Sequence, residues 1–213
     1  MHKNVNNLIL IQNLLKEKTN QSNVPKIIAV SKTFPISEIN PLIDHGHVDF
    51  GENKVQEAIE KWTPIKEKFK NIKLHMVGKL QTNKAKFILP LFDYLHSLDN
   101  LKLAKKISEE EKKHKKKIKV FIQINIGNED QKTGIDVDDL DEFYSICKNK
   151  FNLDIIGLMC LPPNKEDVKP YFLEIQKLNQ KLGLQELSLG MSNDFLSAVE
   201  CGSTFLRIGS QIF

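Results

Sequence analysis

The stretch IIAVSKTFP, residues 27–35, decides the fold. Four apolar residues run straight into Ser31 and Lys32, and an unbroken apolar run is the mark of a parallel strand covered on both faces. The turn after the run separates the two architectures that such strands build. A doubly wound sheet that binds a dinucleotide carries G-x-G-x-x-G at the turn after its first strand. Here that turn is SKTFP, which has no glycine. The reading that remains is a (β/α)8 barrel, and it makes the lysine at the end of the run a residue of the barrel mouth.

Outward from this stretch, short apolar runs alternate with segments of helical period. A helix is expected at 4–18. Strands are expected at 26–31, 48–50, 72–77, 94–98, 118–126, 153–159, 186–189 and 204–208. Between them lie helices at 37–45, 54–69, 82–89, 101–113, 137–149, 167–182 and 193–200, with Ser37 capping the first crossover helix and Gly46 ending it. Eight repeats in 213 residues make a compact α/β barrel, near the lower limit of ~200 residues for that fold. It fills one domain, 1–213.

Composition excludes several classes. With 40% hydrophobic and 27% charged residues, the chain is neither disordered nor fibrous. No segment approaches the ~18 apolar residues of a membrane span. The N-terminal apolar stretch, Leu8 to Ile11, is too short for a signal peptide, so the expected compartment is the cytoplasm. Cys147, Cys160 and Cys201 form no CxxC pair and suggest neither a disulfide framework nor a zinc site; Cys160 reads as a packing thiol. His45 and His47 flank Gly46 without the carboxylates a metal would need. The net charge of +4 owes much to the run 108–119. Glu109, Glu110 and Glu111 there precede Lys113, His114 and Lys115 by four, the spacing of a solvated helix face, and no aromatic is interleaved to stack a base. No nucleic-acid partner is expected.

In a barrel the chemistry sits where strands end. Those ends carry Lys32, Asn53, the segment His75 to Gly78, Met159-Cys160, Gly190-Met191-Ser192 and Arg207 to Ser210. The last two are the most informative, because barrels often hold a phosphate between the loops after strands 7 and 8. Ser192, placed where a helix begins, offers a hydroxyl and free backbone N–H groups. Gly209 permits close approach of the backbone, and Ser210 adds a second hydroxyl. Opposite them stands Lys32. Desolvation favours the neutral form of an amine, and neutral amines attack aldehydes. A lysine facing a phosphate site points to a Schiff base with a phosphorylated aldehyde, of which pyridoxal 5'-phosphate is the obvious example. A phosphosugar aldehyde in an aldolase-like reaction is the other.

The blocks AVSKTFP, DFGENKVQE, HMVGKLQTNK, QINIGNEDQKTGI, GLMCLPP and LSLGMSNDFLSAVECGSTFLRIGSQIF occur in order along nearly the whole chain. Through them the sequence resembles the pyridoxal-phosphate-binding homeostasis protein family, which is related to the barrel domain of alanine racemase. The resemblance implies that Lys32 carries the cofactor as a Schiff base and that Ser192, Gly209 and Ser210 hold its phosphate. It places Arg207 at the pyridine nitrogen and Asn53 beside the ring, with His75 and Met191 as further neighbours. Ser210 and Lys79 stand where relatives often have threonine and proline.

An arginine at the ring nitrogen keeps it unprotonated and makes the ring a poorer electron sink. Racemisation also needs a second base on the opposite face. Of the three tyrosines, Tyr94 falls in a strand, and Tyr144 and Tyr171 fall in expected helices. The expectation is a carrier that buffers or delivers the cofactor to dependent apoenzymes, as a monomer. The alternative is a low-activity racemase of the same fold type.

Overall fold

The computed structural model describes residues 1–19, 23–128 and 133–213. An N-terminal helix, α1 (Lys3–Lys18), precedes eight strands: β1 (Lys26–Val30), β2 (Asp49–Glu52), β3 (Lys73–Met76), β4 (Tyr94–Leu98), β5 (Lys119–Ile124), β6 (Asp154–Cys160), β7 (Glu186–Met191) and β8 (Phe205–Ile208). All are parallel, each pairs with the next, and β8 pairs with β1, so the sheet closes. The intervening helices are α2 (Ile36–Asp44), α3 (Val55–Lys68), α4 (Ile88–Leu91), α5 (Leu101–His114), α6 (Leu140–Ser145), α7 (Lys169–Lys181) and α8 (Phe195–Glu200). No helix among the described residues is long and apolar enough to cross a membrane.

The two-residue period of a strand sorts its side chains between two cores. On β1, Ile27 and Ala29 join the large cluster beneath the helices, while Ile28 and Val30 face a smaller cluster with Tyr94, Phe121, Met159 and Phe205. That smaller cluster fills the lumen, so the barrel is a packed core rather than a pore. Cys160 belongs to the outer cluster and faces the helices.

Several local expectations are corrected. Ser37 is not a cap: α2 begins one residue earlier, behind Pro35, whose fixed φ suits a helix start. The helix expected at 82–89 is a 3-10 segment, Thr82–Phe87, followed by a single α-turn. The one at 137–149 breaks into a 3-10 turn, α6 and a π-turn. The acidic run on α5 is only partly solvated, since Glu110 and Glu111 are buried. Glu111 accepts the Ile118 N–H at 3.0 Å and so ties the helix end to the start of β5. Glu110 pairs with Lys106 one turn before it, at 3.0 Å. Of the loop 130–134 after β5, residues 130–132 lie outside the described residues.

Candidate functional site

A cavity of about 800 Å³ opens at the C-terminal ends of the strands, within the ~300–1,000 Å³ range of small-molecule sites. Lys32, Asn53, Met191, Ser192, Arg207, Gly209 and Ser210 all line it. They come from β1, β2, β7 and β8 or the adjoining loops, so closure of the sheet is what brings them together. A second cavity, of about 830 Å³, lies at the other end of the barrel by Lys26, Glu186 and Thr204. Of its charged groups, Lys26 lies over the Phe205 ring and Glu200 pairs with Lys169. The mouth is therefore the better candidate.

Lys32 occupies a tight turn. The Phe34 N–H donates to the Ser31 carbonyl at 3.2 Å, which leaves Lys32 and Thr33 as the central residues. Thr33 has φ +68°. A second central residue with positive φ is normally glycine, and a β-branched residue there is strained. Behind the turn, buried Glu52 acts as a clamp. Its Oε1 accepts from Ser31 Oγ (2.8 Å), Lys61 Nζ (2.9 Å) and Trp62 Nε1 (2.9 Å). Lys61 also donates to the Ser31 carbonyl at 2.9 Å. The residue before Lys32 is thus held from two sides. Lys32 itself is exposed, which corrects the expectation that the chain alone desolvates it. Among the described residues its amine has no hydrogen bond or ion pair.

The loops after β7 and β8 are tied to each other. The Gly209 N–H donates to Ser192 Oγ at 3.3 Å, and Gln211 Nε2 donates to the Ser192 carbonyl at 2.6 Å. Ser192 is buried, but it does not begin the helix: α8 starts at Phe195, after Asp194. The Asp194 carboxylate accepts the Met191 N–H at 2.5 Å and fixes the intervening turn. Gly190, with φ +83°, admits this packing, because a Cβ there would stand 2.6 Å from the Ala198 side chain. Gly78 does the same across the mouth, where a Cβ would lie 2.4 Å from the Asn53 carbonyl oxygen. Asn53 Oδ1 is buried with no hydrogen-bond partner, which suits a site that receives a polar ligand.

Arg207 enters the cavity from below. It is 5% exposed, and its Nη1 donates to the carbonyl (2.5 Å) and hydroxyl (2.6 Å) of Ser188 while Nη2 donates to the Cys160 carbonyl (2.9 Å). Burial pulls its pKa down from the usual guanidinium value, with Cys160 and Asp194 acting the other way; the group stays charged.

His75 is the one expected neighbour that the structure places elsewhere. It is fully buried in the lumen beneath the cavity, stacked on Tyr94 with ring centroids 4.2 Å apart, and bonded to Asp49 and His96. It sits at the third position of β3, whose inward side chains below the rim point into the lumen. Glu52, which the sequence places with Asn53 at the end of the second strand, also shapes the site, as do Asp194, Gln211, His96 and Ser188, which no site motif singles out. His96 and Ser188 do carry a signal, since each is a polar residue at an inward position of a barrel strand, where burial has to be compensated.

The alanine racemase N-terminal domain family matches residues 7–213. Among curated relatives, the pyridoxal phosphate homeostasis protein of Pasteurella multocida is 35% identical, over 97% of this chain and 95% of its own length. That of Haemophilus influenzae is 37% identical, over 97% and 93%. Of solved structures, PipY of Synechococcus elongatus with PLP bound superposes with a TM-score of 0.87 at 29% identity, covering 99% of both chains. An alanine racemase from Corynebacterium glutamicum shares the fold alone, with a TM-score of 0.71 at 18% identity, over 98% of this chain and 60% of the other. With the family's domain matched almost end to end and curated relatives aligned along nearly their whole length, this chain belongs to the pyridoxal phosphate homeostasis proteins of the alanine racemase N-terminal domain family.

Proposed function

We propose that this chain binds pyridoxal 5'-phosphate in the mouth cavity, holds it covalently on Lys32, and serves as a carrier in pyridoxal phosphate homeostasis. One observation carries the reading: an uncommitted lysine amine shares a cavity with two hydroxyl-bearing loops and a buried guanidinium. The residues fit the group. Ser192, Ser210 and the Gly209 backbone are suited to the phosphate, Arg207 to the ring nitrogen, and the unpartnered Asn53 amide to a polar substituent of the ring. When bound, the cofactor would supply an electrophilic aldehyde carbon, and Lys32 is the residue whose amine would hold it.

A carrier is favoured over a racemase because the cavity offers no tyrosine among its described lining residues. Tyr94 lies in the lumen against His75, and burial pushes its phenol up to about 12. Asp194, the nearest carboxylate of the β7 loop, is committed to the Met191 N–H. We further propose that the chain works as a monomer in the cytoplasm and that its recipients are apoenzymes that need the cofactor.

Borohydride reduction of the purified protein incubated with pyridoxal 5'-phosphate tests the reading. A pyridoxyl-phosphate adduct on the Lys32 peptide, absent from Lys32→Ala, is the expected result. An adduct confined to another lysine, such as Lys165, overturns the assignment. Turnover of an amino acid at thousands of cycles per site replaces the carrier with an enzyme.

A further inference from the structure

The polar residues of the lumen form one continuous line from the mouth to the floor. It starts at Arg207, which donates to Ser188 Oγ at 2.6 Å. Ser188 Oγ lies 2.8 Å from His96 Nδ1, His96 Nε2 lies 3.0 Å from His75 Nδ1, and His75 Nε2 lies 3.0 Å from Asp49 Oδ1. The ends determine where each proton sits. A guanidinium can only donate and a carboxylate can only accept. Ser188 therefore turns its hydroxyl proton to His96, and His96 and His75 each carry theirs on Nε2. All four hydrogen bonds point the same way, the arrangement in which neighbours polarise one another.

The rings are held for this geometry. His75 stacks on Tyr94 at an interplanar angle of 8°, and His96 stacks on Phe121 at 4.4 Å and 21°. Both histidines are 0% exposed. Burial lowers both pKa values, that of His96 well below the ordinary range, where the nearby cation Arg207 also contributes. Two neutral rings are what the line requires.

A buried cation without compensation is costly. Among the described residues Arg207 makes no ion pair, and its partners are carbonyl and hydroxyl oxygens. The carboxylate that terminates its line is Asp49, the first residue of β2, at the opposite end of the barrel; Asp194 acts on the charge of Arg207 from the mouth side, with its carboxylate bonded to the Met191 N–H. We propose that Ser188, His96, His75 and Asp49 are positioning residues for Arg207, holding its guanidinium toward the cavity through a line of hydrogen bonds that ends on a carboxylate at the barrel floor. The inference rests on the reading that the cavity takes pyridoxal 5'-phosphate. Its value there is chemical. A carboxylate bonded to the guanidinium could stand within reach of the ring nitrogen and stabilise a proton on it, whereas a line that ends at the barrel floor leaves the guanidinium bonded to neutral oxygens alone.

Three variants and two nitrogen spectra test this. Ser188→Ala cuts the line with little change of volume, and Asp49→Asn keeps an oxygen for His75 while removing the charge. With 15N-labelled pyridoxal 5'-phosphate bound, Ser188→Ala is expected to move the ring-nitrogen resonance and weaken retention roughly tenfold, the scale of one hydrogen bond to a charged group. Asp49→Asn should move the resonance the same way by less, and Ser188→Thr, which restores the hydroxyl, should return it. A merely structural role would lower the melting temperature and leave the resonance in place. Unchanged resonance and retention in both folded variants overturn the proposal; should Ser188→Ala not fold, Asp49→Asn decides alone. The second spectrum needs no cofactor. In the unaltered chain at pH 7, histidine 15N shifts should show His75 and His96 as neutral Nε2–H tautomers. Finding either ring charged or protonated on Nδ1 overturns the line even if the cofactor is never bound, whereas the expected tautomers with no Lys32 adduct would fail the functional reading alone.

Discussion

At the mouth of the barrel Lys32 is exposed, Asn53 Oδ1 is buried without a partner, and Met191 is 41% exposed. In the lumen directly beneath, His75, His96, Ser188 and Arg207 are buried and joined to one another by hydrogen bonds. The same strands supply both regions, often from residues two or four positions apart, such as Ser188 and Ser192. The lumen is complete without a ligand, and the mouth is not. Stability should therefore rest on the lumen, which reaches a ligand only through Arg207, and binding on the groups of the mouth.

The largest expected effect is in the lumen. Phe121→Ala removes a fully buried ring that packs on His96 and meets Phe205 edge-on at 5.4 Å. It should cost ~3–5 kcal/mol, a fall of roughly 10 °C in melting temperature for a chain of this size, while the molecules that stay folded still form the Lys32 adduct. Melting curves beside adduct yields check it, and parallel losses of both would break the comparison. Ser192→Ala is the converse change at the mouth. Retention of pyridoxal 5'-phosphate should weaken by ~1.5–3 kcal/mol, with little change in the melting of the cofactor-free chain. Equilibrium dialysis measures the first and calorimetry the second.

Acid should act on the lumen and on His47 against the outer core, where burial also lowers the pKa, rather than on the mouth. His75 and His96 have depressed pKa values in the fold, so the unfolded chain binds protons that the folded chain refuses. Their contribution is complete above the ordinary histidine value of about 6.5 and is lost as pH falls below it. Melting temperature should drop between pH 7 and pH 5, with a slope approaching about 1.4 kcal/mol per pH unit for each histidine. Asp49, whose carboxyl is held below its usual value by the His75 hydrogen bond despite burial, loses its contribution only further down, below the ordinary aspartate range. A flat profile to pH 5, in the unaltered chain and in His47→Gln alike, would mean that neither lumen ring is kept neutral.

How much of this is legible in the sequence depends on range. Strands of a covered parallel barrel advertise themselves as apolar runs, and β4 begins and ends where its run does. The site residues at strand ends are legible for the same reason, because the fold dictates which ends share a rim. The sequence sets His75 a layer too high, since periodicity tells which side chains face inward but not how far below the rim they sit. The lumen line is not legible at all. It joins Asp49, His75, His96, Ser188 and Arg207 from five strands, and no local pattern connects residues whose contact depends on the stagger of a closed sheet. Lys32 misleads for a different reason: apolar residues before it say nothing about the turn after it.

That turn carries the smallest prediction. Thr33→Gly removes the penalty of ~1–2 kcal/mol for a left-handed residue with a Cβ and adds the entropic cost of glycine, ~0.5–1 kcal/mol. A small net gain in stability is expected at the mouth, against the losses everywhere in the lumen, and denaturant titration resolves it. A loss instead would show that the Thr33 hydroxyl, which donates to the Lys32 carbonyl at 2.5 Å, outweighs the strain.

The pairing of β1 with β8 sets Ile28 beside Arg207 and Ala29 beside Ile208, across most of the length of the chain. Contacts that distant form late, because the loop they close must lose its entropy before they can repay it. Lys32 stands on one side of this join and Arg207, Gly209 and Ser210 on the other. A folding intermediate that has built seven strands owns Lys32, Asn53 and Ser192 but lacks Arg207, Gly209 and Ser210. On the function proposed above, firm retention of the cofactor should therefore report closure of the barrel.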